Sequence, residues 1–267
     1  MNFSLALYNA MRNAVQKVYT FLHLEKHEST TGRTLAIPLV DSIALALFKQ
    51  RQNIATKQSL FEMVEPSCTY KTFVEAINRA GAYLLLFIAL ILKTNRKAAH
   101  LIKFTDSTDI PVCLLKNAKG NRTMQGLAAW SKTGKGWFYG LKLHLTADIE
   151  GRILALRITA GNSSDRSIFK KMNALLRGIF VADAGYISED LEKEFFIEGE
   201  RIALITPRAN MKKIATSIQT FLQSLRMRVE THFRSLKMFH GLVTSLPRSL
   251  NGTFTHYLAS IAAHLMA

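Results

Sequence analysis

Acidic residues are scarce in this chain of 267 residues, where 19 Asp and Glu stand against 35 Lys and Arg and give a formal net charge of +16. A balance this basic favours a polyanionic partner, nucleic acid first and a membrane surface second. Because acids are few, each one placed at the end of a predicted strand or inside a basic helix is a candidate for a specific role.

Cysteine is rarer still, since Cys68 and Cys113 are the only two. Neither belongs to a CxxC pair, so the sequence excludes a cysteine zinc site and a disulfide framework, and predicts free thiols in a reducing cytoplasm. The histidine pairs near the C-terminus are spaced eight residues apart, which is not the spacing of a helical zinc pair. A Walker phosphate loop and a GxSxG elbow are also absent.

Long hydrophobic runs are missing as well. The longest, AGAYLLLFIALIL at residues 80–92, has 13 residues. A membrane helix needs about 20 apolar residues. We therefore expect a core element here and no membrane association.

The first hundred residues are typical of a helical region. Thr56 is placed to cap a short helix, and a turn at residues 65–68 precedes a longer one. Three short helices with a tight turn before the last resemble a helix-turn-helix unit, in which Lys71 and Arg79 would face DNA. We therefore predict a helical DNA-binding region over residues 1–100.

The pattern changes near residue 101. A strand there is followed by a basic, glycine-rich loop at residues 116–136, which includes Lys132 and Lys135 as candidate DNA contacts. Two β-rich runs then flank a hairpin turn, and helices alternate with strands until a long helix over residues 218–239. This order predicts an α/β domain over residues 101–267, with a mixed five-stranded sheet flanked by helices, as in the ribonuclease H-like fold.

In such a fold the first and fourth strands lie side by side. We expect Asp106 to end the first and Asp183 to end the fourth, and Glu230 is the only acid after Glu200. Each has a plainer interpretation: a turn or cap for Asp183, and an ion pair with a neighbouring arginine for Glu230. Asp109 competes with Asp106 but is the better candidate for a structural role.

Three carboxylates without histidine or thiol suit Mg²⁺ or Mn²⁺ better than Zn²⁺. Two such ions about 4 Å apart can activate a nucleophile and stabilise the leaving oxygen in phosphoryl transfer. The sequence therefore predicts a two-ion site made by Asp106, Asp183 and Glu230.

Four runs together resemble bacterial insertion-sequence transposases of the DDE type, nearest to the family of insertion sequence 982 within the group typified by insertion sequence 4. They are DSTDIPV, GWFYGLKLHL, VADAGYIS and RMRVETHFRSLK. The group's signature is tyrosine, two residues, arginine, three residues, glutamate, six residues, lysine. Arg226, Glu230 and Lys237 keep this spacing, whereas Gln223 replaces the tyrosine.

The resemblance implies that the two aspartates and the glutamate are catalytic metal ligands, and that Arg226 and Lys237 contact DNA phosphates. It also implies double-stranded DNA partners, namely terminal inverted repeats and target DNA, and a homodimer or higher assembly beside the nucleoid. Two alternatives stay open at this point: a ribonuclease H-like nuclease without strand transfer, and an inactive derivative that only binds DNA.

Overall fold

The computed structural model describes residues 4–27, 34–183, 186, 189–197, 199–205 and 216–267. The chain divides into two compact units, a helical unit of residues 1–90 and 235–267 and a sheet unit of residues 91–234. This division differs from the ranges 1–100 and 101–267 drawn from the sequence, because the C-terminal segment groups with the N-terminal helices.

The described residues form α-helices in both units. They are α1 (Leu5–Phe21), α2 (Leu39–Arg51), α3 (Lys57–Val64), α4 (Tyr70–Lys97), α5 (Asp165–Asn173), α6 (Glu189–Phe195), α7 (Ser217–Ser224), α8 (Met227–Met238) and α9 (Leu250–Leu265). The strands are β1 (Ile102–Pro111), β2 (Ala129–Thr133), β3 (Gly136–Asp148), β4 (Ile153–Ala160), β5 (Gly178–Ala182) and β6 (Arg201–Ile205).

The helical unit is organised around α2 and α9, whose residues are mostly buried. The α1 helix packs on α2, and Arg12 and Tyr8 both bond to Asp41, at 2.6 and 2.7 Å. The apolar run 80–92 lies within α4, which is long and apolar enough to cross a membrane by length and composition alone. Within this run Leu84 and Phe87 are buried, as expected of a core element, whereas Leu85 and Leu86 are exposed.

The sheet unit has a mixed α/β fold, as predicted. Its strand order is β2-β3-β1-β5-β6, with β4 paired to β3. Strand β1 pairs antiparallel with β3 and parallel with β5, and β5 pairs parallel with β6. Without β2 this is the strand order of the ribonuclease H-like fold.

Two local features differ from the sequence prediction. The basic loop contains strand β2, which forms a hairpin with β3 and raises the number of strands from five to six. The long helix expected over residues 218–239 is two helices, α7 and α8, separated by Leu225 and Arg226. The break contains no proline or glycine, so the local sequence does not predict it.

Aromatic packing holds α5 and α6 against the sheet. The ring of Phe169 in α5 lies 4.9 Å from that of Phe195 in α6, and Phe180 of β5 lies 5.0 Å from Phe195. All three side chains are buried. This core fixes the position of β5, and with it the residue that follows the strand.

Candidate active site

Asp106 and Asp183 are placed side by side by the pairing of β1 with β5. The parallel register joins Phe104 to Val181 and ends there. Asp106 lies two residues beyond Phe104, and Asp183 lies two residues beyond Val181. Because side chains two residues apart share a face of a strand, both carboxylates lie on the same face of the sheet.

The two aspartates differ in how their strands end. Asp183 directly follows β5, as the sequence predicts. Asp106 does not end β1, which continues to Pro111 because β3 pairs with it along that length. The parallel pairing with the shorter β5 ends at Phe104, two residues before Asp106. Asp109 lies three residues further on and therefore on the opposite face.

Glu230 is brought to the aspartates by the first turn of α8. Val229 beside it is fully buried. Arg228 donates to the carbonyl of Ile149, and His232 bonds to the backbone of Gly151, both in the turn between β3 and β4. These contacts anchor the start of α8 on the sheet.

A single guanidinium joins the three carboxylates. Arg226 lies 3.0 Å from Glu230 Oε1, 3.4 Å from Asp183 Oδ2 and 3.9 Å from Asp106 Oδ2. Its side chain is only 17% exposed. Three acids from distant parts of the chain thus surround one cation, which we call the Arg226 cluster (Asp106, Asp183, Arg226 and Glu230).

The least exposed carboxylate of the cluster is Asp106, whose side chain is 20% exposed, against 45% for Asp183 and 54% for Glu230. Burial raises its pKa to about 6, and the negative charges of Asp183 and Glu230 act in the same direction. Arg226 and the N–H of Ser107, which donates to Oδ1 at 2.8 Å, oppose the rise. The site therefore holds a carboxylate that is costly to ionise without a nearby cation.

A second polar network lies on the other face of β1, and the sequence analysis did not identify it. Asp165 at the start of α5 accepts bonds from Ser107 at 3.1 Å and from Lys142 at 3.2 Å. His144 lies 3.6 Å from Asp165 and is buried, which lowers its pKa to about 4 despite that carboxylate. This network joins β1, β3 and α5 directly behind Asp106, and a neutral histidine in an alternating strand gives no sequence signal for it.

The remaining predicted DNA contacts lie outside the cluster. Lys71 and Arg79 are exposed on α4, and Lys132 is exposed on β2. Lys135 lies in the two-residue turn between β2 and β3. Lys237 belongs to the part of α8 that groups with the helical unit. Contact of these five side chains with DNA stays a prediction.

The donor atoms of the cluster are all carboxylate oxygens. Among the described residues, no group of three or more His, Cys, Asp and Glu side chains is arranged to hold a metal ion. The guanidinium of Arg226 lies between the three carboxylates and partly neutralises their negative charge. The oxygen-only donors fit a hard cation such as Mg²⁺ or Mn²⁺, provided that Arg226 moves aside.

Residues 96–249 match the family model described as the transposase DDE domain. The chain belongs to this family. The matched range contains every member of the Arg226 cluster, so this part of the transposase domain includes the geometry described above.

Comparison with solved structures gives a weaker likeness. A piggyBac transposase synaptic complex with hairpin DNA, solved by cryo-EM, has a TM-score of 0.48 and 9% sequence identity, over 98% of this chain and 73% of that one. No curated protein matches the chain.

The buried ionisation of Asp106 predicts a pH-dependent stability difference. The folded pKa is about 6 and the unfolded value is about 4, so the parent loses stability as pH rises from 4 to 6. Asp106→Asn has no proton to lose. We expect its free energy of unfolding, relative to the parent, to increase by about 2 kcal/mol between pH 4 and pH 7.

Urea unfolding at several pH values in the presence of EDTA measures this difference. Asp109→Asn, a control on the opposite face of the same strand, should not reproduce the increase. A difference between Asp106→Asn and the parent that does not change with pH would contradict the electrostatics described here.

Proposed function

We propose that this chain is a DNA transposase that cleaves strands at the terminal inverted repeats of an insertion sequence and joins the ends to target DNA. The observation that carries the proposal is the convergence of Asp106, Asp183 and Glu230 on Arg226 within 3.9 Å. These carboxylates are the proposed catalytic residues. The spacing of Arg226, Glu230 and Lys237 supports a place in the group of insertion sequence 4, near the family of insertion sequence 982.

The three carboxylates are also the proposed ligands of divalent cations. Mg²⁺ or Mn²⁺ suits oxygen donors, and we propose that two ions bind. Bound there, such ions would supply an activated nucleophile and charge stabilisation for the leaving oxygen. Membership of a family whose domain is named for this acidic triad supports the same assignment.

Arg226 has two proposed roles in this account. In the protein alone it balances the charge of the three carboxylates. Once cations take over that balance, its guanidinium is released to bind a DNA phosphate, which the planar fork of arginine recognises well. One residue would thus balance the charge of the carboxylates before the ions bind and contact the substrate afterwards.

The DNA surface extends beyond the catalytic residues. The net charge of +16 supports binding to double-stranded DNA, and we propose that Lys71 and Arg79 in the region 1–100, with Lys132, Lys135 and Lys237, contact its backbone. Since two element ends are joined in transposition, a homodimer or higher assembly is proposed. A DNA substrate also places the protein in the cytoplasm beside the nucleoid.

Asp183→Asn should abolish strand cleavage, because it removes a carboxylate that the chemistry requires. The substrate is a duplex carrying the inverted repeats that flank the coding sequence, incubated with Mg²⁺ or Mn²⁺. We expect the rate of cleavage to fall at least a thousandfold, as for loss of a residue needed in the transition state. Asp109→Asn, on the opposite face of β1, should retain cleavage.

The DNA products of the reaction distinguish a transposase from a nuclease and from an inactive derivative. Joined DNA species indicate a transposase, whereas nicked or hydrolysed DNA without joined species indicates a nuclease. Full cleavage by Asp183→Asn would remove it from the catalytic set, and binding without any cleavage by the parent would indicate an inactive derivative.

Arg226→Gln should have opposite effects on the protein with and without metal ions. Without ions, three carboxylates lose their cation, and the free energy of unfolding at pH 7 should fall by about 2 kcal/mol. With Mg²⁺, the rise in melting temperature should exceed that of the parent, because no guanidinium competes with the ions.

Differential scanning fluorimetry with increasing Mg²⁺ measures both effects. Arg234→Gln removes an exposed arginine from the same helix and should behave as the parent does. A smaller Mg²⁺ response in Arg226→Gln than in the parent would contradict the proposed competition.

A further inference from the structure

The helical unit contains a cavity of about 600 Å³ with a basic lining. The cationic side chains that line it are Lys49, Lys57, Lys71 and Arg248, and the described lining residues include a single carboxylate, Glu75. All of them belong to the helical unit, so the cavity is separate from the Arg226 cluster. A basic cavity with one acid has an excess of positive charge that a bound anion would balance.

Three helices begin at this cavity. Its lining includes Thr56 and Ser249, the N-terminal caps of α3 and α9, and Tyr70, the first residue of α4. The N-terminal ends of helices carry partial positive charge and attract anions. The partial positive charges of these three helix ends thus add to the charges of the four cationic side chains.

Among the residues that the structure describes, two lysines of the lining have no acidic side chain as a partner. Lys49 is 5% exposed, and its ammonium donates to Gln50 Oε1 at 3.2 Å. Lys57 donates to the side-chain oxygen of Asn78. Both partners are neutral amides, and within the described part of the chain neither lysine forms an ion pair. Buried charges are normally paired, so this arrangement is unusual for a lysine.

The hydrogen bonds of Gln50 and His256 explain why Gln50 accepts from only one N–H group of the Lys49 ammonium. Burial lowers the pKa of His256 to about 3, so the neutral ring donates from Nε2 to the Gly241 carbonyl at 2.7 Å. Its Nδ1 then accepts from Gln50 Nε2 at 3.1 Å, which turns Gln50 Oε1 towards Lys49. An ammonium has three N–H donors, and Gln50 accepts from one of them.

Both the charge and the shape of this cavity suit a small anion. Burial lowers the pKa of Lys49 and of Lys57 to about 8, so both remain largely charged at pH 7. A Cβ atom at Gly252 would crowd the lining, because it would lie 3.0 Å from Ser249 Oγ and in contact with Lys57 Nζ at 3.8 Å. Two desolvated ammonium groups in one lining suit a compact, doubly charged oxyanion.

We propose that this cavity is a phosphate-binding site of the helical unit, with Lys49 and Lys57 as its principal ligands. The phosphate can be free inorganic phosphate or a terminal phosphate of a DNA strand, since the recognised chemistry is the same. Lys71 and Arg248 at the same lining add charge for either source. The site is independent of the proposed strand-transfer chemistry.

Thermal melting of the full chain in phosphate and in chloride at equal ionic strength tests the site. Phosphate should raise the melting temperature more than chloride does in the parent. We expect Lys57→Gln to raise the phosphate dissociation constant about tenfold, as for loss of one charge-assisted bond. Lys49→Met should lose the phosphate-specific rise, and Gly252→Ala should weaken it without removing a charge.

Lys17→Gln is the matched control, because Lys17 is exposed on α1 in the same unit. A second arm measures binding of a 5′-phosphorylated duplex. Weaker duplex binding by Lys57→Gln, but not by Lys17→Gln, assigns the site to a DNA phosphate. Unchanged duplex binding with a lost inorganic phosphate response assigns it to free phosphate. The proposal is overturned if neither probe distinguishes Lys57→Gln from Lys17→Gln.

Discussion

The ion cluster around Arg226 is the interaction on which the candidate active site depends. Three carboxylates that repel one another are held within 3.9 Å of one half-buried guanidinium. Without that cation, the burial that already raises the pKa of Asp106 to about 6 would oppose the convergence of the acids still more strongly. The arginine therefore allows a fold with few acids to concentrate three of them at one edge of the sheet.

The rest of the fold brings this cluster together. The register of β1 with β5 aligns Asp106 with the position after the shorter strand, where Asp183 lies. The break between α7 and α8 puts Arg226 just before the helix whose first turn carries Glu230. A cluster that needs an internal cation costs stability in the protein alone, which fits the catalytic role proposed for its carboxylates.

The sequence predicted more of the fold than of the site's electrostatics. The mixed sheet followed from the order of hydrophobic patterns, and the tip position of Asp183 followed from an apolar run that ends in an aspartate. The length of β1 past Asp106 was not foreseen, because it depends on pairing with β3. Spacing of four residues suggested the pair of Arg226 with Glu230, but only the tertiary structure brings the two aspartates to the same guanidinium. The four cations of the helical cavity come from separate segments, so no local pattern predicts them.

The most direct test of the central claim is an anomalous-scattering map from a crystal of the protein grown with Mn²⁺ and a duplex. We predict manganese bonded to Asp106 and Asp183, with Glu230 beside it and the guanidinium of Arg226 withdrawn towards a DNA phosphate. Manganese bound elsewhere, with Arg226 still between the three carboxylates, would contradict it.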